Sequence, residues 1–242
     1  MADEILHLIS GPRNISTALM YSFGNRADTS ILDEPFYAYY LNKFETLDHP
    51  GREEIIKSQT IRYEKVLEGI FHNESNTPIL FVKNMAHHLI DSDWSFLKKV
   101  KNIFLIRNPK QLIASFAQVI PQPTMQDIGL QLEYELFNYC LEQDQNPIVL
   151  DSNDVLVNPQ KVISQLCNQL DIDFDANMLH WKAGPRNEDG VWAEYWYSNV
   201  HKSTGFVKQN TSNRIFPENL LPLLTEAEKY YNLLSKHSIK AN

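Results

Sequence analysis

Short apolar runs and amphipathic stretches alternate along almost the whole chain. The runs EILHLIS (4–10), SILDE (30–34), PILFVKN (78–84), NIFLIRN (102–108) and PIVLDS (147–152) are rich in Ile, Leu, Val or Phe. Each is short enough to be a strand buried on both faces. Between them, residues 16–26, 52–72, 109–120, 125–143 and 158–170 carry apolar side chains at helical spacing. That alternation predicts an α/β fold, a mostly parallel sheet flanked by helices on both faces, with ligands at the carboxyl ends of the strands. No repeat, low-complexity tract or linker separates two cores, so a single domain over residues 1–242 is expected. Residues 182 to about 215 break the pattern with aromatics, glycines and basic residues, which suits an ordered flap better than a plain connection. A last helix is predicted within 217–237, opening on proline and acid and closing on basic residues.

Composition narrows the picture. A chain of 242 residues, 43% hydrophobic, can bury a full core. Its net charge of −8 argues against a general nucleic-acid surface. An anionic ligand must then be held by a local basic cluster, which works because salt screens exposed charges beyond roughly 8 Å. The two cysteines, Cys140 and Cys167, lie in helical patterns without metal-ligand spacing, as reduced core residues of a cytoplasmic protein do. Neither a secretory leader nor an apolar run of about 20 residues is visible, so no membrane contact is expected.

Two stretches carry the chemistry. In HLISGPRNISTALM (7–20) a strand runs into Gly11-Pro12, Arg13 and Asn14, and a helix opens at Ser16 or Thr17. Unpaired N–H groups at a helix start, with a guanidinium beside them, make an anion site; with Ser16 as a simple N-cap the same stretch is only a strand-to-helix turn. The Walker pattern is absent, since Ile15 stands where its last glycine belongs and no lysine follows, which disfavours a Mg-nucleotide site. In NIFLIRNPKQLIASF (102–116) a strand ends on Arg107, a helix opens at Asn108-Pro109, and Ser115 follows eight residues after the arginine. One arginine and one hydroxyl converging this way suit a second phosphate. Two such sites on neighbouring strand ends imply a ligand charged at two places.

On these motifs the chain resembles the sulfotransferases that use 3′-phosphoadenosine 5′-phosphosulfate (PAPS), whose sheet is of P-loop type. PRNIST (12–17) is similar to that family's 5′-phosphosulfate loop, and IRNPKQLIAS to its 3′-phosphate motif. Residues 148–174 are similar to its strand, acidic turn and helix, and HKSTGF (201–206) to its late basic loop. The resemblance implies cofactor contacts from Arg13, Asn14, Ile15, Ser16, Thr17, Arg107, Ser115, Lys202 and Ser203. It implies PAPS as co-substrate, a small-molecule hydroxyl or amine as acceptor, and no demand for a metal. Ile15 replaces the family's small loop residue, and only glycine freely visits positive φ.

Sulfuryl transfer resembles phosphoryl transfer, so positioning and electrostatics do most of the work. Arg13 would stabilise the leaving phosphate, and a base must reach the acceptor. Some branches of the family carry a glutamate after the second strand, which corresponds to Glu34 in LDEPFYAYY. His87 and His88, after FVKNMA, are the alternative, although they are offset from the family's histidine. A bland reading leaves Glu34 at a helix start and the histidines facing solvent. Lys83 is a candidate to touch the transferring group or merely to cap its strand. Trp192, Tyr195, Trp196 and Tyr197 are candidates to line an acceptor pocket or only to pack. Two other classes stay open, a P-loop kinase or hydrolase and a non-catalytic nucleotide-binding module of the same fold.

Overall fold

The computed structural model describes residues 2–44, 49–74, 77–207 and 216–241. Its strands are β1 (Glu4–Ser10), β2 (Thr29–Asp33), β3 (Ile79–Met85), β4 (Lys101–Ile106), β5 (Ile148–Asp151) and β6 (Ser238–Ile239). They form one sheet in the order β2-β3-β1-β4-β5-β6, with every pairing parallel. The five apolar runs are thus the first five strands, and the P-loop-type α/β sheet expected from the sequence is the observed one. The short edge strand β6 carried no legible signal, having two residues.

Both faces of the sheet are covered. Leu6 and Leu8 of β1 and Ile103 and Leu105 of β4 join one apolar layer, while Ile9, Phe104 and Ile106 join the other. Period-two alternation with no polar face is what a parallel sheet between two helical layers requires. Three neighbouring strands are also cross-linked inside the sheet. The His7 ring meets Asn102 at 3.2 Å and Asn84 at 3.0 Å, and burial pulls its pKa down to about 4, so His7 is a neutral structural group.

Several predicted helices are interrupted. The stretch 125–143 is two helices, Met125–Ile128 and Leu130–Glu142, divided at Gly129, whose φ of 72° places it in the left-handed region that glycine tolerates. The stretch 52–72 is likewise Arg52–Ser58 and Tyr63–Phe71. Between them Gln59 is extended, and its amide accepts from Ala38 N–H at 3.1 Å and donates to the Glu34 carbonyl at 3.1 Å. A helical Gln59 would lose that staple, so tertiary contact overrides local propensity. The flap contains two short helices, Ala193–Trp196 and Ser198–His201. Its residues 208–215 lie outside the described residues.

The order of strands creates the site. After β1 the chain passes to β2 at the sheet edge, returns to β3 beside β1, then crosses to β4 on the other side of β1. A crevice opens at the carboxyl ends where connections diverge in this way.

Candidate active site

Among the described residues, a cleft of about 460 Å³ lies at this crevice, and it is lined by every predicted site residue: Arg13 through Thr17, Glu34, His87, His88, Arg107, Ser115, Lys202 and Ser203. Lys83, Tyr37, Trp196 and Tyr197 line it too.

At one end, β1 leads through Gly11–Ile15 into α1 (Ser16–Phe23). Ile15, not Ser16, takes the N-cap position, with no side-chain cap, so the first-turn N–H groups of α1 receive no capping oxygen. Such groups favour an anion. Ile15 has a φ of −95° and needs no glycine-like conformation; the left-handed residue of the loop is Arg13, with a φ of 55°. The expected conflict at Ile15 therefore does not arise. Asn14 shapes the turn by donating to the Leu105 carbonyl at 2.6 Å and accepting from Ile15 N–H at 2.9 Å. Arg107, following β4, donates to the Arg13 carbonyl, and Arg13 Nε donates to Ser115 Oγ at 3.3 Å. The two basic motifs, far apart in the chain, thus form one continuous guanidinium-hydroxyl surface. Glu133 lies beneath this loop, its carboxyl taking the Gly11 N–H; burial outweighs that bond and pushes its pKa well above the usual carboxylate range.

The other end is a buried ionic cluster. The β2–β3 register sets Asp33 opposite Lys83. Lys83 Nζ donates to Asp33 Oδ1 at 2.9 Å, Glu34 Oε1 at 2.5 Å and the Tyr197 hydroxyl at 2.5 Å. An ammonium has three N–H donors, and all three are spent. Burial alone would lower the Lys83 pKa, but the Asp33 and Glu34 carboxylates outweigh it and raise it, keeping the ammonium charged. Glu34 is pushed up to about 7, chiefly by burial and, less strongly, by the Asp33 charge, with Lys83 opposing both. It is held with a φ of 43° by Glu34 N–H to the Lys83 carbonyl at 2.7 Å and by the Gln59 staple. Of the five described non-glycine residues with positive φ, three are aspartates, which tolerate it; the others are Arg13 and Glu34. Backbone strain confined to such bulky residues marks functional sites.

Glu34 Oε2 faces His88 Nδ1 at 3.9 Å. The bland picture of solvent-facing histidines does not hold, since both are buried in the turn Ala86–Leu89. His88 stacks on Tyr37 with ring centroids 4.4 Å apart. Burial, with His49 adding to it, lowers His87 to about 3, and burial followed by His87, His49 and Lys83 drives His88 well below its ordinary value. Imidazoles so hard to protonate are poor bases at neutral pH.

From the flap, Lys202 is exposed at the cleft and Ser203 is half-buried. The Ser203 hydroxyl accepts from Trp181 Nε1 at 3.1 Å and donates to the Val200 carbonyl at 2.7 Å, so it also serves the flap's own shape. The flap is tied back to α1 through Asp189, which accepts from Tyr21 at 2.7 Å and lies 3.0 Å from His201 Nε2. Its larger contribution was missed in the sequence. Tyr197 and Asp33 belong to the ionic cluster, and only the DE pair at the end of β2 hinted at it.

The sulfotransferase-domain family model matches residues 4–235, so the chain belongs to that family. It is 36% and 34% identical over 235 residues to branched-chain-amino-acid aminotransferase-like proteins 1 and 2 of Arabidopsis thaliana, spanning 97% of this chain but 42% of each relative. The chain therefore covers less than half of those proteins, whose names describe the whole. Among solved structures, the sulfotransferase domain from the curacin biosynthetic pathway superposes with a TM-score of 0.57 at 18% identity, covering 96% of this chain and 97% of that one. Mouse sulfotransferase SULT7A1 complexed with PAP gives 0.56 at 14% identity, covering 96% and 90%. At these identities the likeness shows the fold. Among the described residues, no helix is long and apolar enough to cross a membrane.

Proposed function

We propose that this chain transfers a sulfuryl group from PAPS to a hydroxyl or amine of a small molecule. The observation that carries this reading is the convergence of Arg13, Arg107 and Ser115 beside the uncapped start of α1, in the cleft that also holds Glu34. The first-turn N–H groups with Ser16 and Thr17 take the 5′-phosphosulfate, and Arg107 and Ser115 take the 3′-phosphate. Lys202 closes from the flap. PAP bound in a structural neighbour supports the nucleotide choice.

In the transfer, the acceptor oxygen attacks sulfur in line with the bond to the 5′-phosphate. The new S–O bond forms as the old one breaks, and the electron pair leaves on the bridging oxygen. Arg13 and the loop N–H groups stabilise that charge. The acceptor proton passes to Glu34 Oε2, the oxygen that Lys83 leaves unengaged. A carboxylate with a pKa near neutrality is suited to the task.

Calorimetric titration with adenosine 3′,5′-bisphosphate, ATP-Mg as control, and a screen for transfer from labelled PAPS test the reading. Binding of the bisphosphate with transfer supports it. Binding without transfer to any acceptor turns the chain into a nucleotide-binding module, and preference for ATP-Mg overturns the nucleotide assignment.

A further inference from the structure

Resting on the transfer reading above, we infer that Tyr197 is a positioning residue: its hydroxyl locks Lys83 between Asp33 and Glu34, and so makes the flap a working part of the base.

The geometry is closed. Tyr197 is buried, and its hydroxyl donates to Asp33 Oδ2 at 2.7 Å while accepting from Lys83 Nζ at 2.5 Å and from Trp192 Nε1 at 3.0 Å. A phenol has one proton to give and two lone pairs, so no further partner fits. Asp33 Oδ2 also receives Gly190 N–H at 3.4 Å. Gly190, Trp192 and Tyr197 therefore all reach from the flap to one carboxylate or its immediate partner. At Gly190 a Cβ would fall 2.1 Å from the Trp192 ring, so the indole packs where any side chain would block it. The Lys83 ammonium also lies 4.8 Å from the Tyr197 ring centroid, within cation–π range.

The consequence falls on Glu34. With its three donors committed, the ammonium cannot swing away from Oε1, and Oε2 stays free of it on a residue that lines the cleft. The groups facing Glu34 are Asp33 from β2, Lys83 from β3, His88 from the turn after β3, Tyr37 from α2 (Tyr37–Lys43) and Tyr197 from the flap. Among the described residues, only Tyr197 comes from outside the sheet and its immediate connections. Loss of its hydroxyl leaves the Asp33 charge less compensated, and that change raises the Glu34 pKa.

The test is Tyr197→Phe, which keeps the ring and deletes one oxygen. In ligand-free protein labelled with ¹³C at carboxyl carbons, with Glu34→Gln assigning the signal, Glu34 should titrate about one pH unit higher in the variant. Turnover should fall about 10- to 100-fold in kcat, with the bisphosphate Kd unchanged and the activity profile displaced to higher pH. A residue that only packs would lower the unfolding midpoint and leave the Glu34 titration where it is, and that result overturns the inference. If Tyr197→Phe does not fold, Trp192→Phe, which frees the same hydroxyl from its donor, must shift Glu34 upward by a smaller amount; no shift overturns the inference equally. The carboxyl titration needs no turnover, so failure of the transfer reading, seen as a wild type without bisphosphate binding, is a separate outcome.

Discussion

At the loop end of the cleft, Arg13, Asn14, Arg107 and Ser115 hold one another through part-buried contacts with backbone carbonyls and one hydroxyl. At the carboxylate end, Asp33, Glu34, Lys83 and Tyr197 form a buried cluster in which the ammonium and the phenol are fully used. The first end concentrates positive charge and presents helix N–H groups that a phosphate can complete. The second end pairs one ammonium with two carboxylates and leaves Glu34 Oε2 outside that contact. On the proposed function, in a chain of net charge −8, the two designs divide the labour, with binding charge near solvent and a fixed acid-base group in a low-dielectric pocket.

The sharpest way to break this division is Glu34→Gln, which keeps shape and removes basicity. Turnover from labelled PAPS should fall about 100- to 10,000-fold while bisphosphate affinity holds; retained turnover would return the role of base to His87 or His88. Lys83→Met strikes the same end through stability. It leaves two buried carboxylates without their cation, and denaturant unfolding should report a loss of about 3–5 kcal/mol. An unchanged midpoint would mean the cluster does not depend on its ammonium. At the loop end, Arg107→Ala should weaken adenosine 3′,5′-bisphosphate about 10- to 100-fold by calorimetry with little change in the unfolding midpoint. Unchanged affinity would remove this end from the binding site. The smallest effect comes from pH alone. A base must be deprotonated to accept the acceptor's proton, so kcat/KM should rise with pH up to the Glu34 pKa of about 7 and level off above it, falling about tenfold per unit on the acid side. A profile flat from pH 5 to 8 would contradict Glu34 as base.

Much of the loop end could be read directly. A strand, a Gly-Pro turn and a helix start are contiguous, and Arg107 and Ser115 share a single strand-helix unit, so short-range spacing carries the information. The carboxylate end was legible only at Glu34. Lys83 lies 49 residues from Glu34, and Tyr197 lies 164 residues from its partner Asp33. No local pattern links them, and Tyr197 looked like one aromatic among several in the flap. The burial of the histidines was hidden for the same reason, because a polar pair after a strand admits exposure until the turn Ala86–Leu89 folds it under Tyr37 and Tyr40.

By itself the amino-acid sequence determined the five main strands, their parallel two-sided burial and the basic turns at two strand ends, because hydrophobic periodicity and helix-start chemistry act over a few residues. Only the tertiary structure decided which charges are spent and which remain to work. Strand register sets Asp33 against Lys83, and the packing of the flap brings in Tyr197. Protonation and orientation depend on desolvation and on partners from distant segments, and both exist only once the chain has closed on itself.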